Sequence, residues 1–143
     1  MGCGNVPGVI QFQISKSRDS STFVKAEMSA GFEIEQEVPV RVDSIDNILR
    51  ERGYRIPDVI KIDAEGFDLK VLQGARSCHG KTRLIFIECH AEGSGYENTL
   101  SRVIREMDAL DYVPMEISGL SRGGGHQRFL FCEMAFVLRT APF

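Results

Sequence analysis

The sequence predicts one α/β domain whose sheet is parallel at its centre and ends in an antiparallel hairpin. Three observations predict it. The chain has 143 residues, 43% of them hydrophobic, and a domain of that size buries roughly two thirds of the surface its unfolded chain exposes, without needing disulfides or metals. Two apolar, β-branched runs, Val59-Ile60-Lys61-Ile62 and Leu84-Ile85-Phe86-Ile87, are too short for helices, and each is followed by apolar residues at helical spacing. Two further apolar stretches, about 112–117 and 129–139, succeed each other with only the Gly-rich segment 118–127 between them, which predicts a hairpin closed by a flexible loop.

Taken in order, residues 9–14 alternate apolar and polar as a half-buried strand does, and the polar run 15–21 reads as a turn. Residues 38–42 form a second short strand after an acidic stretch. Asp43 or Ser44 caps a brief helix in which Ile45, Ile48 and Leu49 share a face, and Gly53 stands where a glycine stop belongs. The strand at 59–62 ends abruptly in charge, at Asp63-Ala64-Glu65-Gly66. A crossover helix over 67–78 follows, with Phe67, Val71, Leu72 and Ala75 on one face. The strand at 84–87 also ends in ionisable groups, Glu88, Cys89 and His90. Ser94 and Glu97 read as the capping box of a helix whose Tyr96, Leu100, Val103, Ile104, Met107 and Leu110 make one apolar stripe, a core face and not a cofactor box. Right-handed crossovers are expected, and no linker divides the chain into two domains.

Composition excludes several function classes. With 17 basic against 20 acidic side chains and a formal charge of -3, the chain lacks the basic excess of a nucleic-acid coat. The loose group Arg122, Arg128 and Arg139 reads as solvated surface. No apolar run reaches the roughly 18 residues of a transmembrane helix, so no membrane partner is expected. Cys3, Cys78, Cys89 and Cys132 are isolated and give no metal-ligand spacing; with no secretory signal before them they read as reduced thiols of a cytoplasmic protein, Cys78 and Cys132 as small buried hydrophobes. The Gly-rich start places Val6 where a myristoylation signal needs Ser or Thr. Gly2-Cys3-Gly4 follows no strand, and Gly123-Gly124-Gly125 precedes no helix, so neither reads as a phosphate cradle.

Ligands of open α/β sheets bind beyond the carboxyl ends of the strands. Both of the most apolar strands end there in ionisable groups. By the period of two, Lys61, Asp63 and Glu65 alternate onto one side, and so do Glu88 and His90; on neighbouring strands the two sets converge. Such a patch can move a proton, and crowding of like charges raises one carboxylate into the range of a general base. Set against this, Asp63 or Glu65 could serve only as the N-cap of the next helix. His79 and His126 have no such context and read as surface residues.

From Val42 onward an ordered series stands out: Val42-Asp43-Ser44-Ile45-Asp46, Lys61-Ile62-Asp63-Ala64-Glu65-Gly66-Phe67-Asp68, Val71-Leu72-Gln73-Gly74-Ala75 and Ile85-Phe86-Ile87-Glu88. It resembles the FkbM family of S-adenosylmethionine-dependent methyltransferases, whose hallmark is Lys-Ile-Asp-x-Glu-Gly followed by Leu-x-Gly-Ala. Upstream, Gly8 to the pair Ser20-Ser21 resembles the family's strand and hairpin more weakly. The resemblance implies a class I, Rossmann-like methyltransferase sheet and methyl transfer from S-adenosylmethionine to a hydroxyl oxygen of a small molecule, sugar or lipid. It implies base or acceptor-positioning roles for Asp63, Glu65, Glu88 and His90, and an orienting or structural one for Lys61. The family's Gly-rich cofactor loop and ribose-binding acidic residue are not found before Gly8, so the resemblance is to the later half of the fold and assigns no cofactor-binding residue.

On this reading residues 1–143 are a single partial domain, and an exposed sheet edge is expected to pair in a homodimer or be completed by another chain. Two alternatives belong to other classes. One is a metal-dependent hydrolase using Asp63, Glu65, Glu88 and His90 as ligands; the other is a non-catalytic interaction module.

Overall fold

A computed structural model describes residues 1–16, 21–23, 33–123 and 127–141. Ser20, Gly124, Gly125 and His126 lie outside them. The alternating run after Pro7 forms β2 (Gly8–Ser15), which pairs antiparallel with β3 (Ile34–Asp43) from Gly8↔Val42 to Ser15↔Ile34. A two-residue strand, β1 (Gly2–Cys3), lies parallel to the end of β3. These strands make their own sheet in the order β1-β3-β2. The single sheet expected from the sequence is therefore two sheets: β3 pairs with β2 and β1, and neither β2 nor β3 joins β4.

Helix α1 (Ile45–Arg52) is bounded as its sequence predicts. The Ser44 hydroxyl accepts from the Asn47 N–H at 3.1 Å, and Gly53 closes the helix at φ 63°, a left-handed conformation that favours glycine. Asp43 supports the cap, its Oδ1 accepting from Asn47 Nδ2 and the Ser44 N–H, and these donors hold its carboxyl below the ordinary value.

The second sheet has the order β4-β5-β7-β6, from β4 (Val59–Ile62), β5 (Leu84–His90), β6 (Tyr112–Gly123) and β7 (Arg128–Leu138). β4 and β5 are parallel, β5 and β7 antiparallel, and β6 and β7 form the expected hairpin. The parallel pair stands at one side of this sheet and not at its centre, with β4 as the edge strand. Segment 118–127 is largely strand instead of loop: β6 continues to Gly123, with register shifts between Ser118 and Arg122. Helices α2 (Asp68–Gln73) and α3 (Leu100–Ala109) bury Leu69, Leu72, Val103 and Met107 with Ile85, Ile87, Met134 and Phe136 in one core. Cys89 and Cys132 face each other across β5 and β7, and Cys78 is buried too; burial raises all three thiols, as inert small hydrophobes require. Among the described residues no helix is long and apolar enough to cross a membrane.

Both helices differ from their predicted extents for a visible reason. The 67–78 segment stops being α-helical at Gly74 and resumes as a 3-10 turn, Arg76–Cys78. At Gly74 a Cβ would lie 2.0 Å from the Gly4 carbonyl oxygen, so β1's chain passes where a side chain would stand. Asp46 then joins the pieces: its N–H donates to the Gly74 carbonyl, and its carboxylate accepts from the Arg76 and Ser77 N–H groups. Helix α3 begins at Leu100 and not after Ser94, because Asn98 and Thr99 are held extended beside β5 by the His90 N–H donating to the Asn98 carbonyl. The Glu92 carboxylate, not Ser94, meets a free amide of the first turn, at Ser101.

Candidate functional site

Beyond β4 the chain makes a tight turn, Asp63 to Phe67, in which Glu65 has φ 48° and Gly66 φ 91°. Asp68 folds it: its carboxylate accepts from the Ala64 N–H at 3.2 Å and the Gly66 N–H at 3.0 Å. From the other side the Thr22 hydroxyl donates to the Glu65 carbonyl at 2.6 Å, tying the first sheet to the turn. Gly66 is required twice over, by its φ and by Tyr96, whose ring lies 2.3 Å from where a Cβ would be. Tyr96 in turn stacks on His90 with ring centroids 4.1 Å apart. At the end of β5, His90 Nε2 is hydrogen-bonded to Glu88 Oε2 at 3.0 Å, both side chains mostly buried.

The two strand ends are neighbours, as the sequence predicts, but their side chains divide into two groups. Lys61 is exposed and bound to Glu133 on β7 at 2.7 Å and to Asp63 at 3.2 Å. Asp63, Glu88 and Glu133 share a cleft of about 200 Å³ with Gly119 and Phe131. Glu65 stands apart, half-buried in the turn. Burial first, and then the charges of Glu88 and Asp63, push its carboxyl up to about 7, with His90 opposing. Between the first sheet and β4 lies a second cavity of about 380 Å³, lined by Cys3, Phe12, Phe23, Ile45, Ile62 and Val71 with Lys61, Asp63 and Glu65. Lys61 and Ile62 point to opposite faces of β4, so this cavity runs along the strand's open edge.

Four participants escape a reading of the sequence. Asp68 is fully buried and pushed up to about 6 by burial against its amide donors, with the Glu88 charge adding to the rise. Asn98, also fully buried, donates from Nδ2 to Asp68 Oδ2 and to the Glu88 carbonyl, each at 3.0 Å, while its Oδ1 has no partner among the described residues. Tyr96 belongs to the site and not to a helix stripe, and Glu133 arrives from β7. Asp68 alone left a local signal, an acidic residue two positions after the turn glycine. His79 is half-buried, its Nε2 meeting the Leu72 carbonyl at 3.1 Å, and is not the surface residue expected.

The arrangement can accept or hold a proton but does not favour metal chemistry. Among the described residues no group of three or more His, Cys, Asp and Glu side chains is arranged to hold a metal ion. Comparison with known proteins gives one family: a model described as the methyltransferase FkbM domain matches residues 1–114. No curated protein and no solved structure matches the chain.

Proposed function

The chain belongs to the FkbM methyltransferase family, and from that premise we propose that its strand-end cluster binds and deprotonates a hydroxyl group destined for O-methylation. The observation that carries this reading is Glu65, a carboxyl raised to about 7 at the wall of an otherwise largely apolar cavity. Near neutral pH such a group is partly ionised, and its carboxylate can take the proton of an acceptor O–H, a contribution typically worth ~10²–10⁴ in rate. The Glu88–His90 pair stands ready as the onward proton acceptor, its ring fixed by the 3.0 Å bond and the Tyr96 stack. Lys61 is held between Glu133 and Asp63, so its role is to position the Asp63 carboxylate rather than to meet the acceptor. A parallel pair continued by an antiparallel hairpin is consistent with the later half of a class I, Rossmann-like methyltransferase sheet.

S-adenosylmethionine, which the family implies, supplies the methyl group. The donor set described above fits it only in part. A carboxylate for ribose hydroxyls is present in Asp63, but the cofactor's own carboxylate needs a free cation or a cluster of backbone N–H groups. Lys61 is already shared by two carboxylates. The Gly93-Ser94-Gly95 turn leads into α3, yet the start of that helix is occupied by the Glu92 carboxylate. These residues therefore do not fit the amino-acid end of the cofactor, and binding weaker than micromolar is expected.

The test is to incubate the full chain with methyl-labelled S-adenosylmethionine at about millimolar concentration, above a weak dissociation constant, and with a panel of alcohols. Base-stable ether label that falls at least ~100-fold in Glu65→Gln is the expected result. Label in a base-labile ester, or none at all, would overturn the proposal. Calorimetric titration of the cofactor checks the second half: tight micromolar binding contradicts the misfit.

A further inference from the structure

We propose that Asn98 is the positioning residue of the strand-end cluster: it ties the turn that carries Glu65 to the end of β5 that carries Glu88 and His90, and so fixes the spacing of the two proton-handling groups. Its role in catalysis rests on the methyltransferase reading; the tie itself rests on geometry.

The ladder between β4 and β5 stops at Ile62↔Ile87. Glu65 on one side and Glu88 and His90 on the other lie beyond that last rung, so strand pairing does not set the distance between them. Asn98 supplies a further rung. It is fully buried, and its Nδ2 donates to Asp68 Oδ2 and to the Glu88 carbonyl, each at 3.0 Å. Asp68 in turn accepts from the Ala64 and Gly66 N–H groups on either side of Glu65. Toward β5, the Asn98 carbonyl accepts from the His90 N–H at 2.9 Å. One residue therefore joins the carboxylate that folds the Glu65 turn to the backbone of both Glu88 and His90. Tyr96, two positions earlier, spans the same gap, its ring lying against Gly66 and stacked on His90. The Lys70–Glu97 ion pair also reaches across, but at 3.6 Å and partly in solvent it holds little.

Asparagine is the side chain this place requires. Both neighbours of Nδ2, a carboxylate and a carbonyl, are acceptors, so the amide is fixed with its nitrogen toward them. A hydroxyl has one proton to donate and would satisfy only one of the two; an ionised aspartate has none. The same orientation leaves Oδ1 without a partner among the described residues, which lowers stability. An apolar side chain of similar size would avoid that loss but would leave the two strand ends unjoined.

With the tie cut, Asp68 and the turn it folds are no longer fastened to β5, and the Glu65 carboxyl gains water. Burial, Glu88, Asp63 and Asp68 raise that carboxyl, and His90 lowers it. Asp68 without its Asn98 donor carries less charge and raises Glu65 less, so both changes return it toward its ordinary value.

The test labels the glutamate carboxyls of the full chain with carbon-13 and follows the Glu65 resonance, identified by its loss in Glu65→Gln, through a pH titration. Asn98→Leu keeps the volume and removes both donors. Its Glu65 should need at least ~10-fold more acid for half-titration than the unaltered chain, where that point lies at about 7. Its methyl-transfer kcat should fall at least ~10-fold with KM for the alcohol little changed. Thr82→Val deletes a buried hydrogen bond to the Pro57 carbonyl before the opposite ends of the same strands; it controls for lost stability and should move neither quantity. A Glu65 titration unchanged in Asn98→Leu, or moved as far in Thr82→Val, overturns the proposal. If Asn98→Leu does not fold, amide hydrogen exchange in the unaltered chain decides. Joined ends open together, so the Gly66 and His90 N–H groups should be protected to within ~10-fold of each other, and a larger gap overturns the tie. A Glu65 that titrates near the ordinary 4.5 in the unaltered chain refutes the general-base reading and the positioning role with it. A titration that moves in Asn98→Leu while no methyl is transferred refutes the enzymatic reading and leaves the tie standing.

Discussion

Replacing Glu65 by glutamine should make the protein more stable at alkaline pH and leave it nearly unchanged in mild acid. In the folded chain this carboxyl releases its proton at about 7 instead of the ordinary 4.5, chiefly because it is buried and then because Glu88 and Asp63 face it. The folded state therefore binds more protons than the unfolded state between those values, and stability falls as pH rises through that window. The contribution is fully present below about 4.5 and lost above about 7. At ~1.36 kcal/mol per pKa unit the whole displacement corresponds to ~3.4 kcal/mol. Water reaches part of the side chain, so about half that, ~1.5–2 kcal/mol, is the working figure. Glutamine keeps the shape and carries no charge at any pH. Asp68, raised in the same direction, is present in both proteins, but its charge is one of those that raise Glu65, so the difference between the two curves reports Glu65 together with its coupling to Asp68. Urea unfolding followed by circular dichroism at steps from about pH 4 to about pH 8 measures the difference. Near-equal stability at about pH 4 and an advantage of ~1.5–2 kcal/mol for Glu65→Gln near pH 8 is expected. A constant difference across the range, or one that shrinks with rising pH, refutes the placement of this carboxyl.

Four further substitutions probe the scaffold. Gly66→Ala forces a side chain onto φ 91° and into the Tyr96 ring, and should cost ~2–4 kcal/mol, seen as a fall in Tm of roughly 5–10 °C. Asp68→Ala leaves the Ala64 and Gly66 N–H groups without their acceptor, while Asn98 keeps the Glu88 carbonyl; a loss of ~2–4 kcal/mol in urea unfolding is expected, with Asp68→Asn milder. Gly74→Ala pushes on the Gly4 carbonyl and should cost ~1–3 kcal/mol, with limited proteolysis reporting earlier cleavage near the N-terminus. Lys61→Met removes only solvent-exposed ion pairs and should change stability by no more than ~0.5 kcal/mol in the same unfolding assay.

Elements governed by local rules were legible in the sequence. The Ser44 cap, the Gly53 stop, the apolar strands at 59–62 and 84–87, the latter running on to His90, and the final hairpin all follow from neighbours a few residues away. Features governed by distant chain were not. Helix α2 ends at Gly74, where the Gly4 carbonyl leaves no room for a side chain and the Asp46 N–H takes the Gly74 carbonyl, and nothing near Gly74 encodes those approaches. Likewise the apparent capping box at Ser94 and Glu97 loses to the pairing of Asn98 and Thr99 with β5, a contact that exists only once the sheet has formed. The separation into two sheets has the same origin, since strand alternation reports which face is buried and not which strand lies alongside.

The residues that make the family recognisable are, for the most part, occupied in folding. Asp43 braces the cap of α1, and Asp46 ties α1 to the 3-10 turn. Asp68 closes the turn after β4, while Gly66 and Gly74 yield their side-chain space to Tyr96 and Gly4. Lys61 is neutralised between Asp63 and Glu133. Subtracting these from the ordered motif leaves Glu65 as the carboxyl that, among the described residues, is neither capping an element nor held in an ion pair, and its proton equilibrium is moved up to about 7. The rigid frame explains how that is sustained: a half-buried carboxyl beside two others would swing into water unless its backbone were pinned. Thr22, bridged to β2, pins it from one side, and Asp68 at the start of α2 pins it through the Gly66 N–H from the other. The cost of crowding charge at Glu65 is thus met by hydrogen bonds to the backbone of its turn.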